Sequence, residues 1–472
     1  MELLFYGYYH FAGFWNSFTE FPSAENWTNQ SGPDTILVMM PESRVAAPTS
    51  VAAAAQLARD LYGLDAHARP LPGEYDDNFH LISVDSREFV LKIMHPLREA
   101  AFVDMQCRAL THLAERAPQL LLPRVVRNEQ GELYRQVKID DGTERLVWLL
   151  SFLPGTVLAE ATPRSPELLE SLGKFLAEMD LALLDFVHTA VKRELKWDVT
   201  RSLWARDFLS CVKDADRRKM VEGFLRLFEE EVVPRLGRLR RGIIYGDAND
   251  HNVLVNAPWP QPRKVVGLID FGDMHETIAV AEPAVAAAYA LLEQKDPLRA
   301  ASFVLAGYHR VSPLSEDELV VMFPLICVRL AVSVVNSANR QTLVPDDAYV
   351  TVTQAPAWEA LERLAKIHPR FAQYTFRAAC GLPAVPQNGK VTRWLAENTH
   401  QAGSVVPQSL RDPSVQVLDL SVGSTLLPAN LAELSEPVLT QKLRALLEER
   451  KASVAVGRYD EARPFYSSSL FG

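Results

Sequence analysis

The sequence predicts an α+β fold of two lobes, a small antiparallel sheet with one helix followed by a mainly helical lobe carrying a few short strands, with a C-terminal extension beyond. Three observations predict it. Residues 78–84 and 88–94 are extended segments separated by the turn residues Asp85-Ser86-Arg87, which is the pattern of a β-hairpin. From Pro166 onward, apolar residues recur at helical spacing. Between Val233 and Ala279, three short β-type runs interrupt that helical pattern.

Taken in order, the first helix spans residues 50–64, with Thr49 or Ser50 as N-cap and an Ala-rich body. Pro70-Leu71-Pro72-Gly73 reads as a turn cluster before the hairpin. Pro96 opens a helix to about Glu115, in which Phe102, Met105, Ala109, Leu110 and Leu113 share a face. Strand candidates follow at 122–126, 133–137 and 146–152. Leu153-Pro154-Gly155 then turns the chain into the helical lobe, whose first helix starts at Pro166 and aligns Leu168, Leu172, Phe175, Leu176, Met179 and Leu183. Further helices are expected at 217–233, 279–293, 298–308, 316–338 and 358–365, and the short β-type runs at 242–245, 253–255 and 265–269. The lobes then cover residues 49–150 and 151–380, with a cleft between them. Residues 1–48 read as a poorly packed N-terminal extension. Residues 381–472 read as a linker and partial domain, with a strand at 415–418 and a helix at 439–447.

With 48% apolar and 23% charged residues, the 472-residue chain can bury a large core, which excludes a wholly disordered chain. A net charge of −10 argues against a nucleic-acid binder relying on global electrostatics. Four widely spaced cysteines form no zinc or disulfide pattern, so a reducing cytoplasm is the expected compartment. The aromatic start of the chain lacks both a basic n-region and a long apolar run, so neither a signal peptide nor a membrane span is expected there.

Three segments carry chemistry. Tyr245-Gly246-Asp247-Ala248-Asn249-Asp250-His251-Asn252 lies between two apolar strands; an Asp on such a loop accepts a proton from a hydroxyl, and an Asn five residues on can ligate a metal through its amide oxygen. Ile269-Asp270-Phe271-Gly272-Asp273 ends a strand, where the Asp270 carboxylate can bind Mg²⁺ on nucleotide phosphates. Lys92 ends the second hairpin strand, where its ammonium can reach those phosphates. Singly, Asp247 reads more readily as a turn former and Lys92 as a solvated strand residue. In this order, each beside a strand end, they point to phosphoryl transfer, which needs cationic clamps, a divalent metal and an aligned base.

These motifs resemble the aminoglycoside phosphotransferase and choline kinase superfamily of protein-kinase-like enzymes, over about residues 50–375. The family's His-Gly-Asp-x4-Asn appears with Tyr245 in place of His, a residue that is mainly architectural there. In place of a Gly-rich phosphate loop stands Gly73-Glu74-Tyr75-Asp76-Asp77-Asn78-Phe79, similar to hydroxylysine kinase-like members, with Asn78 facing the phosphates. Where the family has a Glu to pair with the lysine, the next helix offers Gln106, with Asp104 nearby. Residues 148–155 resemble the family's hinge, so the backbone of Ser151, Phe152 and Leu153 would read the base. Asp250, Asp273 and Glu276 are candidates for binding an amine-bearing acceptor. Arg329, alone in an apolar helix, either holds a substrate carboxylate or pairs with Asp273 or Glu276.

The resemblance implies a Mg²⁺-dependent kinase that uses ATP or GTP and phosphorylates the hydroxyl of a small amino alcohol or hydroxy amino acid, hydroxylysine first. Aminoglycoside, choline and homoserine kinases of the same fold are the nearest alternatives, and a weakly catalytic nucleotide-binding regulatory module is an alternative of another class. Residues 417–424 and 456–464 resemble the junction of fusion proteins in which such a kinase precedes a peptidase fold and an aminotransferase-like, phospholyase-type domain. A downstream domain or partner of that type is therefore expected.

Overall fold

The structure, a computed structural model, describes residues 48–73, 75–139, 142–257, 262–343 and 354–384. The expectations for the N-terminal extension before residue 48, for residues 415–418 and 439–447 and for the fusion junction lie outside the described residues.

Helix α1 (Val51–Tyr62) begins where the Ser50 side chain accepts from the Ala53 amide and ends at Gly63, whose φ of 60° is left-handed. It covers one face of an antiparallel sheet built from β1 (Ala66–Leu71), β2 (Asp77–Ser83), β3 (Glu88–Ile93), β4 (Val125–Val126), β5 (Arg135–Lys138) and β6 (Glu144–Ser151). The order is β1-β2-β3-β6-β4, with β5 also on β6. The expected hairpin is β2 and β3, in a register that sets Asn78 opposite Lys92. Strand β1 is a correction, because Pro70 read as part of a turn. It lies at the sheet edge, where a residue without an N–H does not interrupt a ladder between two neighbours.

Strand β6 is buried on both faces, which explains its nearly continuous apolar sequence. Val147 and Leu149 join the core under α1, whereas Leu146, Trp148 and Leu150 join the larger core shared with α2 (Ala100–Arg116) and the helical lobe.

The helical lobe contains α3 (Pro166–Ala182), α4 (Ala215–Glu231), α5 (Ala281–Ala290), α6 (Pro297–His309), α7 (Glu316–Leu343), α8 (Gln354–Leu364) and α9 (Pro369–Ala379). A 3₁₀ stretch at Val199–Cys211 lacks amphipathic periodicity and was not expected from the sequence. Helix α7 is long and apolar enough to cross a membrane, yet its apolar window is 94% buried, so that hydropathy builds the lobe's core.

Two short sheets position the loops of interest. Strands β10 (Val265–Leu268), β9 (Val253–Val255) and β7 (Thr156–Val157) form one, and β11 (His275–Ile278) pairs with β8 (Arg241–Ile244) in the other. The loop after β8 thus leads into β9, and the turn after β10 leads back to β11 beside β8.

Candidate active site

The loop 245–252 and the turn 269–274 are tied together through their backbones. Ile269 donates its amide to the Asn252 carbonyl at 3.0 Å, and the Tyr245 hydroxyl donates to the Ile269 carbonyl at 2.5 Å. Tyr245 is fully buried and meets the Phe271 ring edge-on at 5.0 Å. The residue standing where a His was expected therefore joins the two functional segments directly. Gly246, at φ 80°, backs onto the turn so closely that a Cβ would lie 3.0 Å from the Asp273 carbonyl.

Asp247 is held on three sides. Asn249 and Asn252 donate their side-chain amides to Oδ2 at 2.9 and 2.7 Å, and Arg329 Nη2 approaches Oδ1 at 3.5 Å. Burial, followed by the charge of Asp273, pushes the Asp247 carboxyl well above its ordinary range, and Arg329 opposes that rise. Asn252, with its amide nitrogen committed to Asp247, has its amide oxygen left for a cation.

Asp270 has a left-handed φ of 60° and a side chain 53% exposed to the cleft. Lys92 Nζ lies 3.4 Å from its Oδ1, and that charge, with the Gly272 amide, holds Asp270 below the ordinary carboxylate range. The sheet lobe and the helical lobe thus place Lys92, Asp247, Asn252 and Asp270 around one cleft. Asn252 and Asp270 offer hard oxygen donors, the set that suits a Mg²⁺-type cation.

Around Lys92, Asn78 faces it across the hairpin, donates to the Pro72 carbonyl at 3.3 Å and keeps a buried Oδ1 without a partner among the described residues. Gly73 is required here by close approach, since a Cβ would run into the Asp76 carbonyl oxygen. Neither expected partner reaches the lysine. Gln106 is buried and donates back to the Phe102 carbonyl at 3.3 Å, and Asp104 is paired with Arg108 at 2.6 Å and His188 at 3.1 Å. Lys92 has Asp270 instead, and lies 5.7 Å from the Trp148 ring centroid.

The hinge donors are narrower than expected. Ser151 donates its amide to the Arg124 carbonyl and Phe152 to the Glu88 carbonyl, so among the described residues the Leu153 amide is the hinge donor left for a base edge. The Phe152 ring stacks on His80 at 4.2 Å.

The acceptor-side expectations divide. Asp273 is close enough to Asp247 to raise it and is itself raised, by burial first. Asp250 is a correction: it forms a buried ion pair with Arg164 at 2.9 Å and is closed to a ligand. Glu276 sits in β11, where its carboxylate lies 3.9 Å from Arg241, and no contact links it to Asp247. Arg329 is a second correction. It is 2% exposed, donates to the Trp197 carbonyl at 3.1 Å, lies between the Trp197 and Tyr289 rings, and pairs with Asp247 rather than Asp273 or Glu276. Its two Nη groups are thus engaged by the protein, while its Nε has no partner among the described residues.

Two contributors escaped the sequence reading. Glu282, at the start of α5, is fully buried and accepts the Gly246 amide at 3.0 Å; burial pushes its carboxyl up to about 7. Arg193 donates to the carbonyls of Gly272 and Met274, and burial lowers its guanidinium to about 10, still charged at neutral pH. An acid opening a helix and an arginine in a loop carry no spacing signal of their own.

Comparison with known proteins gives the following likenesses. Residues 67–314 match the phosphotransferase enzyme family. Hydroxylysine kinase of Xenopus laevis is 31% identical over 333 residues, covering 66% of this chain and 88% of the relative, and hydroxylysine kinase of Danio rerio is 32% identical over 317 residues, covering 64% and 88%. Among solved structures, an amicoumacin kinase in complex with AMP-PNP and Ca²⁺ superposes with a TM-score of 0.50 at 14% identity, covering 65% of this chain and 92% of that one.

Proposed function

Since the chain belongs to the phosphotransferase enzyme family and is a small-molecule kinase acting on a hydroxyl group, we propose that it transfers the γ-phosphoryl group of ATP or GTP to the hydroxyl of hydroxylysine. The observation that carries the reading is the convergence of Lys92, Asp247, Asn252 and Asp270 on one cleft. The names of the curated relatives support hydroxylysine as acceptor.

In this reading Asp247 accepts the proton of the acceptor hydroxyl as the oxygen attacks. Asn249 and Asn252 hold its Oδ2, while Arg329 offsets the repulsion from Asp273. Asn252 and Asp270 hold Mg²⁺, which when bound supplies positive charge to the phosphate oxygens. Lys92 exchanges Asp270 for phosphate, and Asn78 stands across the hairpin from it. The Leu153 amide donates to the base, and Asp273 faces the amines of the acceptor. A reducing cytoplasm fits the four free cysteines.

The reading is tested by incubating the protein with hydroxylysine, ethanolamine, choline, homoserine or aminoglycosides, each with ATP or GTP, with and without Mg²⁺. Mg²⁺-dependent nucleotide consumption stimulated most by hydroxylysine supports it. Preference for another acceptor overturns the substrate assignment, and nucleotide binding without turnover across the panel overturns the kinase reading.

A further inference from the structure

Arg193 is on the loop between α3 and the 3₁₀ stretch, away from every motif that the reaction uses. Its guanidinium donates to the Gly272 carbonyl, and reaches the Met274 carbonyl from Nε at 3.2 Å and from Nη2 at 3.0 Å. Gly272 is also the residue whose amide reaches Asp270 Oδ1 at 3.3 Å. The turn grasped by Arg193 is therefore the one that aims Asp270, and Asp270 has a left-handed φ of 60° that a non-glycine residue keeps only when its surroundings hold it.

The other side of Arg193 leads into the sheet lobe. Its guanidinium lies 5.0 Å from the Phe102 ring centroid on α2, and Arg98 lies 4.7 Å from the same ring. Arg98 reaches both carboxylate oxygens of Asp76, at 3.4 and 3.3 Å, and Asp76 also accepts the His95 amide at 2.7 Å. A Cβ on Gly272 would lie 3.8 Å from the Phe102 ring, with Asp270 Oδ1 nearer still at 3.2 Å. A continuous line of contacts, Asp76, Arg98, Phe102, Arg193 and Gly272, thus joins the turn before β2 to the turn after β10.

We propose that Arg193 is a positioning residue for cation binding: it clamps the 270–274 turn against Phe102 and so presents Asp270 to the divalent metal. The Arg98–Phe102 half of the stack ties that clamp to the segment beside Asn78 and Lys92, so cation and nucleotide are bound cooperatively. The inference rests on the reading of Asp270 as a metal ligand. The contacts of Arg193 are with the carbonyls of Gly272 and Met274 and the Phe102 ring, so it acts through the turn. Its loss weakens the contribution of the cation to nucleotide binding and spares binding without the cation, whereas a merely structural role would weaken both.

The test uses the full chain and measures ATP and GTP affinity by calorimetry with and without Mg²⁺. In Arg193→Ala the strengthening of affinity by Mg²⁺ is expected to shrink by about 10-fold or more, the scale on which residues that orient metal ligands act, with metal-free affinity within about 2-fold of wild type. Arg193→Lys restores part of it. Phe102→Leu, which keeps the hydrogen bonds but removes the stacked ring, gives a smaller loss in the same direction and serves if Arg193→Ala does not fold. Wild-type Mg²⁺ strengthening in Arg193→Ala or, if that variant is unfolded, in Phe102→Leu overturns the proposal, as does an equal loss with and without the cation. Asp270→Ala separates the premise: if it retains the Mg²⁺ effect, the metal-ligand reading falls and the proposal with it.

Discussion

Asp247, Asp273, Glu282 and Asp180 are carboxyls that burial pushes above their ordinary range, and they line the helical-lobe side of the cleft and the core behind it. Glu282 and Asp180 raise a consequence that does not depend on any ligand. Each keeps one buried oxygen without a partner among the described residues, Glu282 holds the Gly246 amide with its other oxygen, and Asp180 accepts the Tyr308 hydroxyl at 2.7 Å. The folded chain binds the Glu282 proton up to about pH 7, whereas an unfolded chain releases it near 4.5. Between those values the native state holds more protons than the unfolded state, so stability falls as pH rises through that window. Glu282→Gln keeps an oxygen for Gly246 and removes the titration. Its melting temperature is expected to fall less than that of wild type between about pH 5 and about pH 8, and parallel curves would show that Glu282 does not carry the effect.

Helices α3 and α6 cross where both present a glycine. A Cβ on Gly173 would lie 1.8 Å from the Val304 carbonyl oxygen, and one on Gly307 would lie 2.0 Å from that of Glu170. Glycine inside a helix costs about 1 kcal/mol relative to alanine, so its presence on both sides of one crossing reflects the need for close approach. The same crossing brings Tyr308 to Asp180, and hence supports the buried acids behind Gly246. Gly307→Ala is expected to destabilise the protein by about 1–3 kcal/mol or more despite its better helix propensity, measured as a lower urea midpoint. An unchanged or raised midpoint would contradict the close packing. At this scale the sequence was informative where its pattern was strong: the hairpin followed from two extended segments around a turn, and α3 from the helical spacing of its apolar residues. It was uninformative for β1, whose proline is acceptable only because the strand lies at the sheet edge, and for the 3₁₀ stretch, whose residues show no single apolar face.

Across the whole molecule, the proposed site draws residues from both lobes. Lys92 and Asn78 come from one hairpin register in the sheet lobe, and Asp247, Asn252 and Asp270 come from two loops tied through Ile269 and Tyr245 in the helical lobe. The order of these motifs was legible in the sequence because each sits at a strand end. Their partners were not: Lys92 meets Asp270 rather than Gln106 or Asp104, Arg329 meets Asp247, and Asp250 is closed off by Arg164, pairings made by residues 82 to 178 positions apart that no local pattern encodes. In the proposed reaction Asp247 is the base of a phosphoryl transfer to hydroxylysine. The most direct test of that role is the rate of phosphohydroxylysine formation by wild type and Asp247→Asn, with nucleotide affinity measured on the same samples. The account predicts that the variant loses about 10²–10⁴-fold in kcat while its nucleotide affinity stays within about 3-fold of wild type. Turnover within a few-fold of wild type, with nucleotide binding intact, would contradict it.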